Sequence, residues 1–132
     1  MDALNKPAES RPRVLIVDDE AAICLLLNEL LNGAGYHCQT ASSAAEALEI
    51  LRQQEFDVLI SDLRLPGMSG LALLDAVRAE YPKMILLLAA GGDDLQTRIE
   101  ATKHGAHDYL VKPFRLDAVV ATLRRALENK AT

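Results

Sequence analysis

The stretch Phe56-Asp57-Val58-Leu59-Ile60-Ser61-Asp62-Leu63-Arg64-Leu65-Pro66-Gly67-Met68-Ser69-Gly70 decides the fold. Val58 to Ile60 is a short run that is apolar at every position. Such a run marks a strand covered on both faces, as in a parallel sheet. It ends by delivering Asp62 into a loop. Pro66-Gly67 turns the chain, and Ser69-Gly70 opens a helix. An acid at the carboxyl end of a buried strand stands at the mouth of the sheet, where open α/β folds bind ligands.

Two further runs share this character. Arg13-Val14-Leu15-Ile16-Val17 ends in Asp18-Asp19-Glu20, and Met84-Ile85-Leu86-Leu87-Leu88 leaves through Ala89-Ala90-Gly91-Gly92. The stretch from Tyr36 to Ala41 is more polar and suits a sheet edge, as does the short strand His107 to Val111. Helical spacing fills the gaps. Ile23, Leu26, Leu27, Leu30 and Leu31 form one stripe over Ala21–Asn32, which Gly33 and Gly35 stop. Ser43-Ala44-Ala45-Glu46 is a capping box that starts a second helix with Ala44, Ala47, Leu48 and Leu51 inward. The third helix spans Gly70 to Glu80. The fourth, capped by Asp93 or Asp94, is thinly apolar, with Leu95 and Ile99 as its expected anchors, and is the one expected to move most. The last, Leu116 to Glu128, is expected to bury Leu116, Val119, Val120, Leu123 and Leu127.

Five strands alternating with five helices imply an α/β chain, a three-layer (βα)5 sandwich on a parallel sheet. With the second and fifth strands at the edges, the order is 2-1-3-4-5, the flavodoxin-like arrangement. One domain is expected over 13–128, after a polar leader at 1–12 and before a short tail at 129–132. At 132 residues the chain is long enough for a single core without staples. Cys24 and Cys38 form no CxxC pair and read as free packed thiols, suited to a reducing cytoplasm. A net charge of -5 without a basic stripe argues against direct nucleic-acid binding. No apolar run is long enough for a signal peptide or a membrane span. His104 and His107 straddle Gly105 and read as surface histidines.

The topology gathers Asp18, Asp19 and Asp62 at one crevice, where the strand order reverses. Three carboxylates that close repel one another unless they protonate or share a cation. Oxygen donors without Cys or His favour Mg²⁺ over Zn²⁺. Lys112, after the fifth strand, reaches the same mouth. A carboxylate, a divalent ion and a lysine suit phosphoryl transfer, with Asp62 attacking in line. The plainer reading of Asp18-Asp19 is a helix cap, and of Tyr109 a packing residue.

Val17-Asp18-Asp19, Asp62 with Pro66-Gly67, and Lys112-Pro113-Phe114, in this order and spacing, resemble the receiver domain of bacterial two-component response regulators. The resemblance implies that Asp62 accepts a phosphoryl group from a sensor histidine kinase or phosphotransfer protein, becoming an aspartyl phosphate. It implies that Mg²⁺ is bound by Asp19, Asp62 and the Arg64 carbonyl, with Asp18 acting through water, and that Lys112 pairs with the phosphoryl group. It implies a cis Lys112-Pro113 bond, and an aromatic switch at Tyr109 that a downstream output domain or protein reads. The domain would be a phospho-acceptor rather than a turnover enzyme. A homodimer through the last helices is compatible with it. One position departs. The hydroxyl residue that usually ends the fourth strand is Ala90, and neither Ala89 nor Gly91 supplies one. Two other functions remain in view: a binding module on the same fold whose switch has decayed, and a Mg²⁺-dependent hydrolase. Against the hydrolase, Arg64 stands where such enzymes carry a second acid.

Overall fold

The computed structural model describes residues 10–131. The first nine positions of the expected leader lie outside these. The elements run β1 (Arg13–Val17), α1 (Ala21–Gly33), β2 (His37–Ala41), α2 (Ala44–Gln53), β3 (Val58–Asp62), α3 (Gly70–Glu80), β4 (Ile85–Ala90), α4 (Leu95–Lys103), β5 (Asp108–Val111) and α5 (Leu116–Ala131). All pairings are parallel, in the order β2-β1-β3-β4-β5.

Strand alternation divides the core into two layers. Val14, Ile16, Val58, Ile60, Ile85 and Leu87 meet α1 and α5 through Leu27, Leu31, Val119 and Leu123. Leu15, Val17, Leu59, Leu86 and Leu88 meet α2 and α3 through Ala47, Leu51, Leu73, Leu74 and Val77. Both faces of β1, β3 and β4 are therefore covered, which is why these strands read as unbroken apolar runs.

Several boundaries and faces differ from expectation. β3 continues through Ser61 to Asp62, and β4 through Ala89 to Ala90, because these residues pair in register: Asp62 with Ala89, and Ala90 with Val111. α5 continues to Ala131, so the stretch set apart as a tail is helical up to that residue. Ser43 caps α2 by accepting the Glu46 N–H, but the Glu46 carboxylate reaches Ser42 rather than Ser43. Leu26, on α1, and Leu116, at the start of α5, are both exposed.

The largest reversal is in α4. Leu95 and Ile99 are 72% and 40% exposed, while Ala101 is buried. The inward face runs through Thr97, Arg98, Ala101 and His104. Polar side chains occupy it because each finds a partner there. His104 Nδ1 lies 2.8 Å from the Asp75 carboxylate on α3, and the Arg98 guanidinium stacks on Tyr109. His104 is thus a tether rather than a bystander. His107 is exposed, yet its ring accepts the Leu86 N–H and extends the ladder between β4 and β5.

The turn that follows β3 depends on two glycines. Gly67 has φ +78°, a left-handed conformation that suits glycine. Gly70 faces a steric limit: a Cβ there would lie 2.2 Å from the Asp62 carbonyl oxygen and 2.9 Å from the Leu63 Cα. Its N–H donates to the Leu63 carbonyl at 2.7 Å. Both obstacles are main chain and cannot rotate away. Gly70→Ala is expected to lower the unfolding free energy by about 2–3 kcal/mol in urea titration. A loss below about 0.5 kcal/mol, the range of ordinary surface changes, would show that the Asp62 loop shifts freely.

Candidate functional site

Each acidic side chain is placed by the end of a strand. Asp18 follows β1; its N–H donates to the Ala41 carbonyl at 3.1 Å, which fixes the chain at the sheet mouth. Its carboxylate accepts the Glu20 N–H at 2.9 Å and the Lys112 ammonium at 2.7 Å. The N-cap of α1 is Glu20, without a side-chain cap bond, so capping is not what occupies Asp18. Asp62 ends β3 and is buried, while Asp19 is exposed at the rim. One carboxylate oxygen from each of Asp18, Asp19 and Asp62 falls within a mutual distance of 4.8 Å. The expected trio is therefore assembled.

Lys112 enters from the far side, after β5. Its N–H donates to the Ala90 carbonyl at 2.8 Å, and the Lys112-Pro113 bond is cis, as the resemblance implied. Its Nζ lies 2.7 Å from Asp18, 3.3 Å from Asp62 and 3.9 Å from Glu20.

The electrostatics follow from this crowding. Burial, then the neighbouring Asp18 charge, raises the Asp62 carboxyl above its ordinary value, against the pull of Lys112 and of the Arg64 backbone hydrogen bond. Burial draws the Lys112 ammonium down, but Asp18 and then Asp62 outweigh it and hold it above its ordinary value. The cluster has excess negative charge that one ammonium does not satisfy. An all-oxygen donor set with room beside it fits Mg²⁺, which keeps several waters and bridges to phosphate.

That room is a crevice of about 470 Å³. Its walls include Asp19, Asp62, Arg64, Ala90, Thr97 and Lys112, and Gly91-Gly92 and Tyr109 also line it. Every expected site residue except Asp18 lines it directly, and Asp18 touches it through Lys112. Ala90 ends β4 here and presents a methyl group. Tyr109 is buried, and its hydroxyl donates to the Gly92 carbonyl at 2.8 Å. Sequence reasoning missed Thr97, which lines the crevice, and Arg98, which lies over the Tyr109 ring. Their position three and four residues into a capped helix beside a glycine pair was the available signal.

A family profile described as the response regulator receiver domain matches residues 14–124. The chain belongs to that family. The receiver domain is 41% identical over 116 residues to the DNA-binding transcriptional regulator NtrC of Escherichia coli (strain K12), covering 88% of this chain and 25% of that protein. It is 40% identical over 116 residues to the transcriptional regulatory protein ZraR of the same organism, covering 88% and 26%. The receiver domain therefore spans about a quarter of the length of these curated relatives. Among solved structures, the chemotaxis response regulator CheY4 of Vibrio cholerae matches with a TM-score of 0.84 and 34% identity, covering 89% of this chain and 99% of that one. Among the described residues, no helix is long and apolar enough to cross a membrane.

Proposed function

We propose that this receiver domain takes a phosphoryl group on Asp62 in a Mg²⁺-dependent reaction and relays that event to a protein partner. The observation that carries the reading is the meeting of Asp18, Asp19, Asp62 and the Lys112 ammonium at one open crevice. An Asp62 oxygen attacks phosphorus, the donor's N–P bond breaks, and its electron pair returns to the donor imidazole. Lys112, within reach of both buried carboxylates, is placed to follow the charge onto the incoming phosphoryl oxygens. Asp18, Asp19, Asp62 and the Arg64 carbonyl would hold Mg²⁺, which supplies charge neutralisation for the transferring group.

The donor would be a sensor histidine kinase or a phosphotransfer protein, and the setting cytoplasmic. The output would be a further domain or a separate protein. The outward Leu95 and Ile99 of α4 give a reader apolar surface beside the crevice. The module would be an acceptor rather than a turnover enzyme, since Arg64 stands two residues after Asp62, where such hydrolases carry a second acid. Residues 13–128 would be the working unit. The constitutive binding module is not favoured, because the carboxylate trio and the lysine are all in place. The test is incubation with acetyl phosphate. The intact chain is expected to gain one phosphoryl mass with Mg²⁺ and none with chelator present; no gain with Mg²⁺ would overturn the reading.

Ala90 weakens one contact. A hydroxyl bonded to a charged oxygen contributes about 1.5–3 kcal/mol. Ala90→Thr is expected to bind the phosphoryl mimic beryllium fluoride about ten- to a hundredfold more tightly, read by titration. Unchanged affinity would mean that the Ala90 and Gly91 backbone N–H groups already do this work.

A further inference from the structure

Tyr109 is held by contacts that bypass the carboxylates, Lys112 and residue 90. The residue is 8% exposed, and its hydroxyl donates to the Gly92 carbonyl at 2.8 Å. The Arg98 guanidinium carbon lies 4.8 Å from the ring centroid. The same guanidinium donates through Nε to the Asp93 carboxylate. Gly92 and Asp93 belong to the segment between β4 and α4, Arg98 to α4, and Tyr109 to β5. None of these holds uses Asp62, Lys112 or a hydroxyl at residue 90.

The ion pair of Arg98 with Asp93 is largely exposed and contributes little by itself. Its effect is to hold the guanidinium over the aromatic face, where cation and ring quadrupole attract. α4 needs such a link. Its large apolar residues point outward, and Ala101 is its buried contact with the core. Meanwhile Gly91 and Gly92 line the crevice in open surroundings. A methyl group added at either would meet no atom within 4 Å, so no packed neighbour confines these two positions on that side.

We propose that Arg98 is the positioning residue that joins the crevice to α4: braced by Asp93 and lying on Tyr109, it keeps the aromatic inward whether or not Asp62 carries a phosphoryl group, and the Gly91-Gly92 main chain carries the change to the helix. The inference rests on the acceptor reading for the origin of the signal, and on the Tyr109 contacts for its route. It makes the aromatic a fixed pivot rather than a gate.

The experiment follows the Tyr109 ring by NMR in the wild-type chain, Arg98→Ala and Arg98→Lys, with and without beryllium fluoride and Mg²⁺. Tyr109→Phe assigns the signal, and amide exchange is read along α4. In the wild type the ring is expected to be ordered with and without the mimic, while the Gly91, Gly92 and α4 amides shift. In Arg98→Ala the ring should become mobile, respond to the mimic, and leave α4 amides about five- to tenfold less protected. Arg98→Lys should restore part of the protection, because it keeps the charge but not the flat face. A wild-type ring that is mobile until the mimic binds would overturn the proposal. So would an Arg98→Ala chain with wild-type ring order and α4 protection. Failure of the mimic to perturb the surroundings of Asp62 would instead count against the acceptor reading; the ring and exchange data of the variants still judge the clasp.

Discussion

Lys112→Met is expected to cut phosphoryl transfer from acetyl phosphate by about a hundred- to a thousandfold, the scale seen when a charge-stabilising donor is removed. Methionine keeps the length of the apolar stem, so the loss reports the ammonium. That ammonium is also the cation that the structure places between Asp18 and Asp62, at 2.7 and 3.3 Å. Deleting one partner of a buried ion pair strands the other charge, at about 3 kcal/mol. The variant should therefore be markedly less stable than the wild type at neutral pH without Mg²⁺. The deficit should shrink in acid, where the carboxylates take up protons, and shrink again on adding Mg²⁺, since a dication replaces the missing charge. Thermal melts across pH, with and without Mg²⁺, read all three effects. Equal melting of variant and wild type at neutral pH would mean that Lys112 is solvated rather than holding the cluster together.

Asp62→Asn should have the opposite effect on stability while removing the proposed acceptor. Burial and Asp18 raise the folded-state carboxyl above its unfolded value of 3.8. The folded chain then binds more protons than the unfolded chain once the pH exceeds that value, so its stability falls as pH rises toward the folded pKa. At neutral pH the wild type carries this full penalty, and the neutral amide does not. Asp62→Asn is thus expected to melt several degrees higher than the wild type at pH 7 in chelator. The advantage should disappear in acid below the ordinary carboxyl value. Mg²⁺ should narrow or reverse the order, because once bound it would stabilise the chain that keeps all three carboxylates. A variant that melts lower at pH 7 in chelator would show that the Lys112 contact outweighs the burial of Asp62.

Much of this site is legible in the residues alone. The runs at Val14–Val17, Val58–Ile60 and Ile85–Leu88 are apolar at each position because helices cover both faces of the central strands. That pattern implies the parallel sheet and its order, and the order dictates where Asp18, Asp19, Asp62 and Lys112 must meet. What escapes the sequence has physical causes. The close approach of Gly70 to the Asp62 carbonyl is a three-dimensional contact with no spacing signature. The extension of β4 to Ala90 depends on pairing with Val111, a partner distant in the chain. The inward face of α4 runs against expectation because helical periodicity tells which residues share a side and not which side is covered. Arg98 and His104 turn inward because Tyr109 and Asp75 are there to receive them.

The central claim is that the carboxylate ending β3 is the group that forms the new bond. Its most direct test labels the chain with acetyl phosphate and Mg²⁺, traps the adduct by borohydride reduction, and locates the reduced residue by peptide mapping. The account predicts one modified position, Asp62, and no modification in Asp62→Asn. Modification of another residue at comparable yield in both chains would contradict it.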